Sequence, residues 1–213
     1  MSKIRIPKYS LGEELINSIS HGIGALLSVG ALIFLVLKAG NVRSIVSVSL
    51  YGSFMIILYT ISCIYHALSP RIIGKKVLRV IDHCNVLLMV AGTYMPICLS
   101  LLYGALGWIT FAIVWLITFI GVVFNAINVD KYNLISVICN LVLGWGALLL
   151  INPMLKVIPI KGIIYLILGG IMYTVGSILY GLGKKIPYMH SIFHFFVLLG
   201  SLFQFLFIYY YCI

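Results

Sequence analysis

This sequence predicts an all-α membrane protein with seven transmembrane helices, and three observations lead there. The chain of 213 residues is 63% hydrophobic and only 8% charged, with a mean hydropathy of +1.19. A soluble domain of this size has too little interior to hide so much apolar surface, so the solvent must be lipid. Charges, prolines and glycines then divide the chain into seven apolar stretches of about 20 residues, the length that carries a helix across a hydrocarbon core. Finally, the basic residues fall unevenly between the two alternating sets of loops, as orientation in a membrane requires. Residues 1–213 read as one seven-helix domain, with no internal repeat and no linker long enough to separate a second unit.

The first stretch runs from about Ser20 to Leu37 and closes on Lys38-Ala-Gly-Asn. The second runs from about Ile45 to Leu68 and stops at Ser69-Pro70, because proline cannot continue a helix. The third starts near Ile81 and ends near Leu102, with Pro96 inside it and a kink expected there. A tight Tyr103-Gly104 turn leads to the fourth, about Ala105 to Ala126. The fifth covers about Leu134 to Ile151, the sixth Gly162 to Leu182, and the seventh Met189 to Tyr211. The opening Met-Ser-Lys-Ile-Arg-Ile-Pro-Lys is polar and short, and the run after it is long enough to span, so no cleaved signal peptide is expected.

Orientation follows from the basic residues. The N-terminal segment and the second-to-third, fourth-to-fifth and sixth-to-seventh loops hold ten of the fourteen (Lys3, Arg5, Lys8; Arg71, Lys75, Lys76, Arg79; Lys131; Lys184, Lys185). The opposite loops hold Lys38, Arg43, Lys156 and Lys161. Ten against four predicts a cytoplasmic N-terminus and an outer C-terminus, with the Tyr209-Tyr210-Tyr211 run in the interfacial aromatic belt. The net charge of +10 then reports loop orientation and contact with anionic lipid headgroups, not nucleic acid.

That topology gathers the polar residues. His66 leaves the membrane at the end of the second helix, while Asp82 and His83 enter it with the third. His190 and His194 enter with the seventh, and His21 opens the first. All five histidines, and the one aspartate of a spanning segment, thus fall in a single layer, which random placement at fourteen helix ends would rarely give. Ionisable groups inside a membrane segment are expensive and mark function. His190 and His194 lie four apart, one above the other on a helix face, and form a clamp that His66 completes with a third nitrogen. Neutral imidazoles suit zinc at ~2.0–2.1 Å, and catalytic zinc sites keep three protein ligands and one open position. Asp82 is placed as a fourth ligand or as the base that handles a water acidified toward pKa ~7. Ser62, one turn before His66, is placed to donate a hydrogen bond to that water or to a substrate carbonyl. His21 and His83 are assigned to supporting or packing roles.

The other polar residues read as packing. Gly169-Gly170 and Gly176 suit close helix approach, and Asn125, Asn128 and Asn140 suit interhelical hydrogen bonds. Five scattered cysteines, an odd count without a C-x-x-C pair, argue against a disulfide framework; Cys63, three residues before His66, shares its face most nearly.

The stretches E-E-L-I-N-S-I-S-H-G-I-G-A-L-L-S (13–28), S-C-I-Y-H (62–66), I-D-H-C-N-V-L-L-M-V-A-G-T-Y-M-P (81–96), G-G-I-M-Y-T-V-G (169–176) and H-S-I-F-H-F-F-V-L-L-G-S (190–201) resemble the hemolysin III group of bacterial membrane proteins. That group belongs with the progestin and adipoQ receptors and, more distantly, the alkaline ceramidases. The resemblance runs nearly the whole chain, in order. It implies seven transmembrane helices with the N-terminus inside and a zinc ion on His66, His190 and His194, with the family's serine and aspartate falling on Ser62 and Asp82. Many relatives carry a further histidine late in the seventh helix, in a G-S-x-x-H-F pattern; Gln204 stands there in this chain.

Three functions compete at this point. One is a zinc-dependent membrane hydrolase cleaving an amide or ester bond of a lipid, with Asp82 as base. Another is a receptor-like or homeostatic protein in which zinc is structural. The third is a cytolytic pore, as the hemolysin name suggests; polar groups confined to one end, with no polar stripe through the bilayer, speak against a wide channel. Membrane lipids are the expected partners, no protein partner is predicted, and a bacterial plasma membrane is the expected location.

Overall fold

The computed structural model describes residues 4–213, and Lys3 of the charge count lies outside them. The described residues are helical, without a strand, and seven helices are long and apolar enough to cross a membrane. These are α1 (Leu11–Lys38), α2 (Val42–Ala67), α3 (Ile73–Leu101), α4 (Ala105–Asn128), α5 (Asn133–Leu155), α6 (Ile160–Leu182) and α7 (Met189–Tyr211). The chain is a multi-pass membrane protein whose surface is apolar and whose interior holds polar side chains beside an apolar core. Leu26, Phe34, Leu116, Phe119 and Leu149 are exposed, whereas Ser28, Ser47, Asn17 and Thr118 are buried. That inversion is stable only where the surroundings are hydrocarbon.

Two helices begin about two turns earlier than hydropathy alone suggests. The opening of α1 is amphipathic rather than apolar, and a capping box fixes its start. Ser10 Oγ accepts from the Glu13 N–H at 3.3 Å, and Glu13 returns the contact by accepting from the Ser10 N–H at 2.8 Å. Helix α3 starts at Ile73, so Lys75, Lys76 and Arg79 lie in its first turns and not in a loop, with Lys75 and Arg79 buried. Averaging over a window discards such polar turns, although they hold the residues of greatest chemical interest.

Pro96 does not simply kink α3. The helix changes there to a π segment, Ile97–Leu101, closed by the Leu102 N–H donating to the Ile97 carbonyl at 2.8 Å. The wider turn presents carbonyls to α4, where Gly107 packs so closely that a Cβ would stand 2.2 Å from the Cys98 oxygen. Gly104, at φ 130°, makes the turn between them in a region open only to glycine. Helix α5 tightens to a 3₁₀ stretch at Ala147–Leu150 before its last turn, which contains Pro153.

The helices follow one another around the bundle, and α1 closes the ring by packing on both α2 and α7. Helix α3 is drawn inward, against α2, α4 and α5, and is the most buried of the seven. Lipid tails are as apolar as leucine, so close packing and interhelical hydrogen bonds hold such a bundle. Gly52 sits on Leu32 and Gly24 on Tyr59 and Leu198, each too close for a Cβ. Gly169 receives Gln204, and Gly176 receives Phe193 and Phe196. Tyr59 donates to Ser201 at 2.6 Å, the Tyr173 hydroxyl meets the same oxygen at 2.9 Å, and Trp145 donates to Thr174 at 3.0 Å. Each such bond is worth about 0.6 kcal/mol in a bilayer. Asn125 bridges helices as expected, donating to the His83 carbonyl and to Ser136. Asn128 instead caps the turn that follows it, and Asn140 bonds its own helix at Ser136. All five cysteines are free, and Cys63 turns toward Ser18 and Gly22 of α1.

Candidate metal centre

His66 ends α2 and His190 opens α7, so both stand at the end of the bundle that carries the N-terminal segment; His194 lies one turn deeper. All three are buried, and each offers a ring nitrogen within 4.8 Å of the others. His190 Nε2 and His194 Nε2 are 3.2 Å apart. Two nitrogens bound tetrahedrally at ~2.0–2.1 Å would stand about 3.3 Å apart, so the clamp has the span a zinc ion takes.

The wiring of His66 points the same way. Its Nδ1 lies 2.6 Å from Glu14 Oε2, with the Asn17 amide 3.4 Å from the same nitrogen. Glu14 is a carboxylate, which can only accept, so the hydrogen-bond network assigns the proton to Nδ1. Nε2 is buried without a partner among the described residues, and in the neutral imidazole it carries the lone pair. A carboxylate that holds one imidazole nitrogen while the other faces a metal is the usual second layer of a metal centre. The other oxygen of Glu14 takes the Lys75 ammonium at 2.5 Å, and Lys75 also donates to the Leu68 carbonyl at 2.8 Å. The buried cation thereby fixes the carboxylate that fixes the imidazole. The donor set, its spacing and the orphaned nitrogen fit a tetrahedral cation.

His21 is deep in α1 and not at its start; its ring stacks on His194 at 3.8 Å and meets Tyr59 edge-on at 5.0 Å. His83 turns away, with Nδ1 2.8 Å from the Arg79 carbonyl and Nε2 3.1 Å from the Tyr180 hydroxyl. Neither belongs to the three-nitrogen cluster, and both ring nitrogens of His21 are buried without a partner among the described residues. Ser62, buried, and Asp82, half-buried, line one internal cavity of about 180 Å³ together with His190 and His194. From His194 the cavity runs to Gln204, ten residues or about 15 Å along α7, past mostly apolar walls. Gln204 donates to the Leu166 carbonyl at 3.3 Å, and its Oε1 is buried without a partner among the described residues.

The N-terminal segment lies across the outer end of this cavity. Tyr9 stacks on His190 with centroids 4.8 Å apart and lines the cavity beside Pro7; burial holds its phenol well above the usual range. The Arg5 N–H donates to Asp130 at 3.0 Å, and Asp130 pairs with Arg79 at 2.8 Å. Burial acts to raise the Asp130 pKa, but the Arg79 and Arg5 contacts outweigh it and hold that carboxyl below its ordinary value. Glu13 meanwhile accepts from the Tyr188 N–H at 2.8 Å, which secures a left-handed residue (φ 63°) at the entry to α7.

Sequence reasoning missed Glu14, Asn17, Lys75 and Tyr9. One signal was available: Glu14, Asn17 and His21 recur at spacings of three and four, a single helical face.

A family profile described as "Haemolysin-III related" matches residues 9–205. The chain is 39% identical over 208 residues to the "Hemolysin-3 homolog" of Bacillus subtilis (strain 168), covering 96% of this chain and 97% of that one. It is 38% identical over 197 residues to "Hemolysin-3" of Bacillus cereus, covering 91% and 89%. It is also 24% identical over 155 residues to the human "Monocyte to macrophage differentiation factor", covering 70% and 63%. No solved structure matches.

Proposed function

The chain belongs to the haemolysin-III related family of membrane proteins, and on that premise we propose that it is a zinc-dependent hydrolase of an amide or ester bond in a lipid. The observation that carries this reading is a buried three-histidine cluster, two of whose members, His190 and His194, line the same largely apolar cavity as a carboxylate, Asp82. His66, His190 and His194 would hold the ion, with Glu14 and Lys75 fixing the His66 ring. Zinc held there supplies Lewis-acid polarisation and acidifies water.

The chain's own groups account for the rest. The apolar walls admit an acyl chain and exclude bulk water, which strengthens every electrostatic interaction within. Ser62 donates a hydrogen bond to the substrate carbonyl. Asp82 takes a proton from the attacking water as its oxygen adds to the carbonyl carbon. The bond from that carbon to nitrogen or oxygen breaks, and Asp82 returns the proton to the departing amine or alcohol. The ten basic residues of the sequence count mark the Tyr9 end of the bundle as cytoplasmic, so the site opens on the inner leaflet.

Asp82→Asn tests the assignment, because it keeps the size of the side chain and removes the base. Zinc content and melting temperature should hold, while hydrolysis of an N-acyl or O-acyl lipid falls by roughly a hundredfold or more. A wild type that melts zinc-dependently yet turns over no lipid amide or ester would replace the enzyme with a receptor-like protein whose zinc is structural.

A further inference from the structure

We propose that Arg79 forms an anion-binding subsite at the outer end of the cavity, and that the ligand is a single-chain amphiphile whose head group bears an oxyacid, carboxylate or phosphate, close beyond its carbonyl. Arg79 is 6% exposed and lines the cavity. Asp130 takes its Nη2 at 2.8 Å, but the N–H on Nε and the pair on Nη1 are buried without a partner among the described residues. A guanidinium does not shed its charge, and leaving charged donors unmet in a protein interior is costly. Asp130 does not serve them: its second oxygen is already taken by the Arg5 N–H at 3.0 Å. Nε and Nη1 donate from different edges of the planar guanidinium, and either one beside the second N–H of Nη2 makes the two-pronged edge that matches the oxygens of a carboxylate or phosphate.

Helix α3 then sets the order of the ligand. Arg79, Asp82, Val86, Met89, Val90 and Thr93 all line the cavity, at spacings that make one helix face. Arg79 is outermost, Asp82 follows about 4.5 Å further in, and apolar residues continue from there. An anion at Arg79 therefore puts a neutral carbonyl level with Asp82 and an acyl chain among Val86, Met89 and Val90. Asp82 also keeps the anion from sliding inward.

This deepens the hydrolase reading by naming its substrate class, yet binding can be read without turnover. The test is displacement of radiolabelled N-oleoylglycine from the full-length protein in an uncharged detergent, repeated after the metal is stripped by chelator. The competitors are 1-oleoyl lysophosphatidate, the neutral N-oleoylethanolamine, and inorganic phosphate. N-oleoylglycine and lysophosphatidate should each bind roughly tenfold or more tighter than the neutral amide, the scale of a charged hydrogen-bond pair; the tighter of the two identifies the oxyacid. Inorganic phosphate, lacking a chain, should not compete. Arg79→Gln should lose the preference and keep the neutral ligand's affinity. If that variant does not fold, Arg79→Lys keeps a charge for Asp130 without the fork and should lose most of the preference.

Equal binding of charged and neutral amphiphiles by wild type overturns the proposal, as does an undiminished preference in the folded Arg79 variant. Competition by phosphate alone overturns the amphiphile. If no lipid is hydrolysed but the preference stands, the enzyme reading falls and the subsite survives.

Discussion

Glu14 is the residue on which the candidate centre most depends without itself touching a metal, and Glu14→Gln separates its two duties. The carboxylate accepts from His66 Nδ1 at 2.6 Å and from Lys75 at 2.5 Å. Glutamine keeps the shape but turns one acceptor into a donor. If that donor faces His66, the imidazole must carry its proton on Nε2, which removes the lone pair a metal needs. Losing a carboxylate partner of this kind typically costs 10–100-fold in metal affinity. The other duty concerns Lys75, whose side chain is fully buried. Without its counter-charge the ammonium is left uncompensated, at a cost of about 3–5 kcal/mol. Glu14→Gln should therefore bind zinc weakly and melt early. Adding Lys75→Met removes the stranded charge at similar volume, so Glu14→Gln/Lys75→Met should recover most of the stability while its zinc affinity stays 10–100-fold down. Competition with a chromophoric chelator, beside thermal unfolding in detergent, reads both quantities. A double variant that binds zinc as wild type does would refute the orienting role of Glu14.

Three further outcomes are expected. His190→Ala and His194→Ala should each lose most of the bound zinc in elemental analysis, since two nitrogens hold it far more weakly than three, whereas His21→Ala should keep about one ion per chain. Gly107→Ala should abolish or severely reduce folded yield in detergent, because its Cβ would meet the Cys98 and Leu102 carbonyls at 2.2 and 2.6 Å, and backbone cannot yield as a side-chain tip can; recovery of a normal melting temperature would show that the π segment adapts. Cysteines placed at Lys184 and Ile213 should be shielded and labelled respectively by an impermeant reagent on intact cells, and the reverse pattern would invert the orientation that the basic residues indicate.

The grouping of His66, His190 and His194 has a geometric counterpart in the bundle, and the components of the centre differ in how readable they were. The His190/His194 clamp was legible because helical period is a local property: any helix places i and i+4 together. His66 was legible because chain direction fixes which helix ends share a side. Glu14 and Lys75 were hidden because they lie in polar turns that hydropathy assigns to loops, and a residue taken as loop carries no facing direction. His21 was expected to open α1 and instead lies well inside it, for the same reason. The bond from Asn140 to its own helix, rather than to a neighbour, was beyond reach of sequence because it depends on the rotation of α5.

The sequence by itself determined that lipid is the solvent, that seven helices cross it, and which residues share an end, since composition, period and direction are properties of the chain taken piece by piece. Only the tertiary structure decided which nitrogen of His66 is left without a partner, that His83 turns to Tyr180 and not to the three-histidine cluster, that Tyr9 covers His190, and that Arg79 meets Asp130 with donors to spare. Those contacts join residues far apart in the chain, and they follow from helix rotations set by side-chain packing at sites such as Gly24, Gly52 and Gly169. No window of sequence contains both partners of such a contact, so the bundle had to assemble before the site existed.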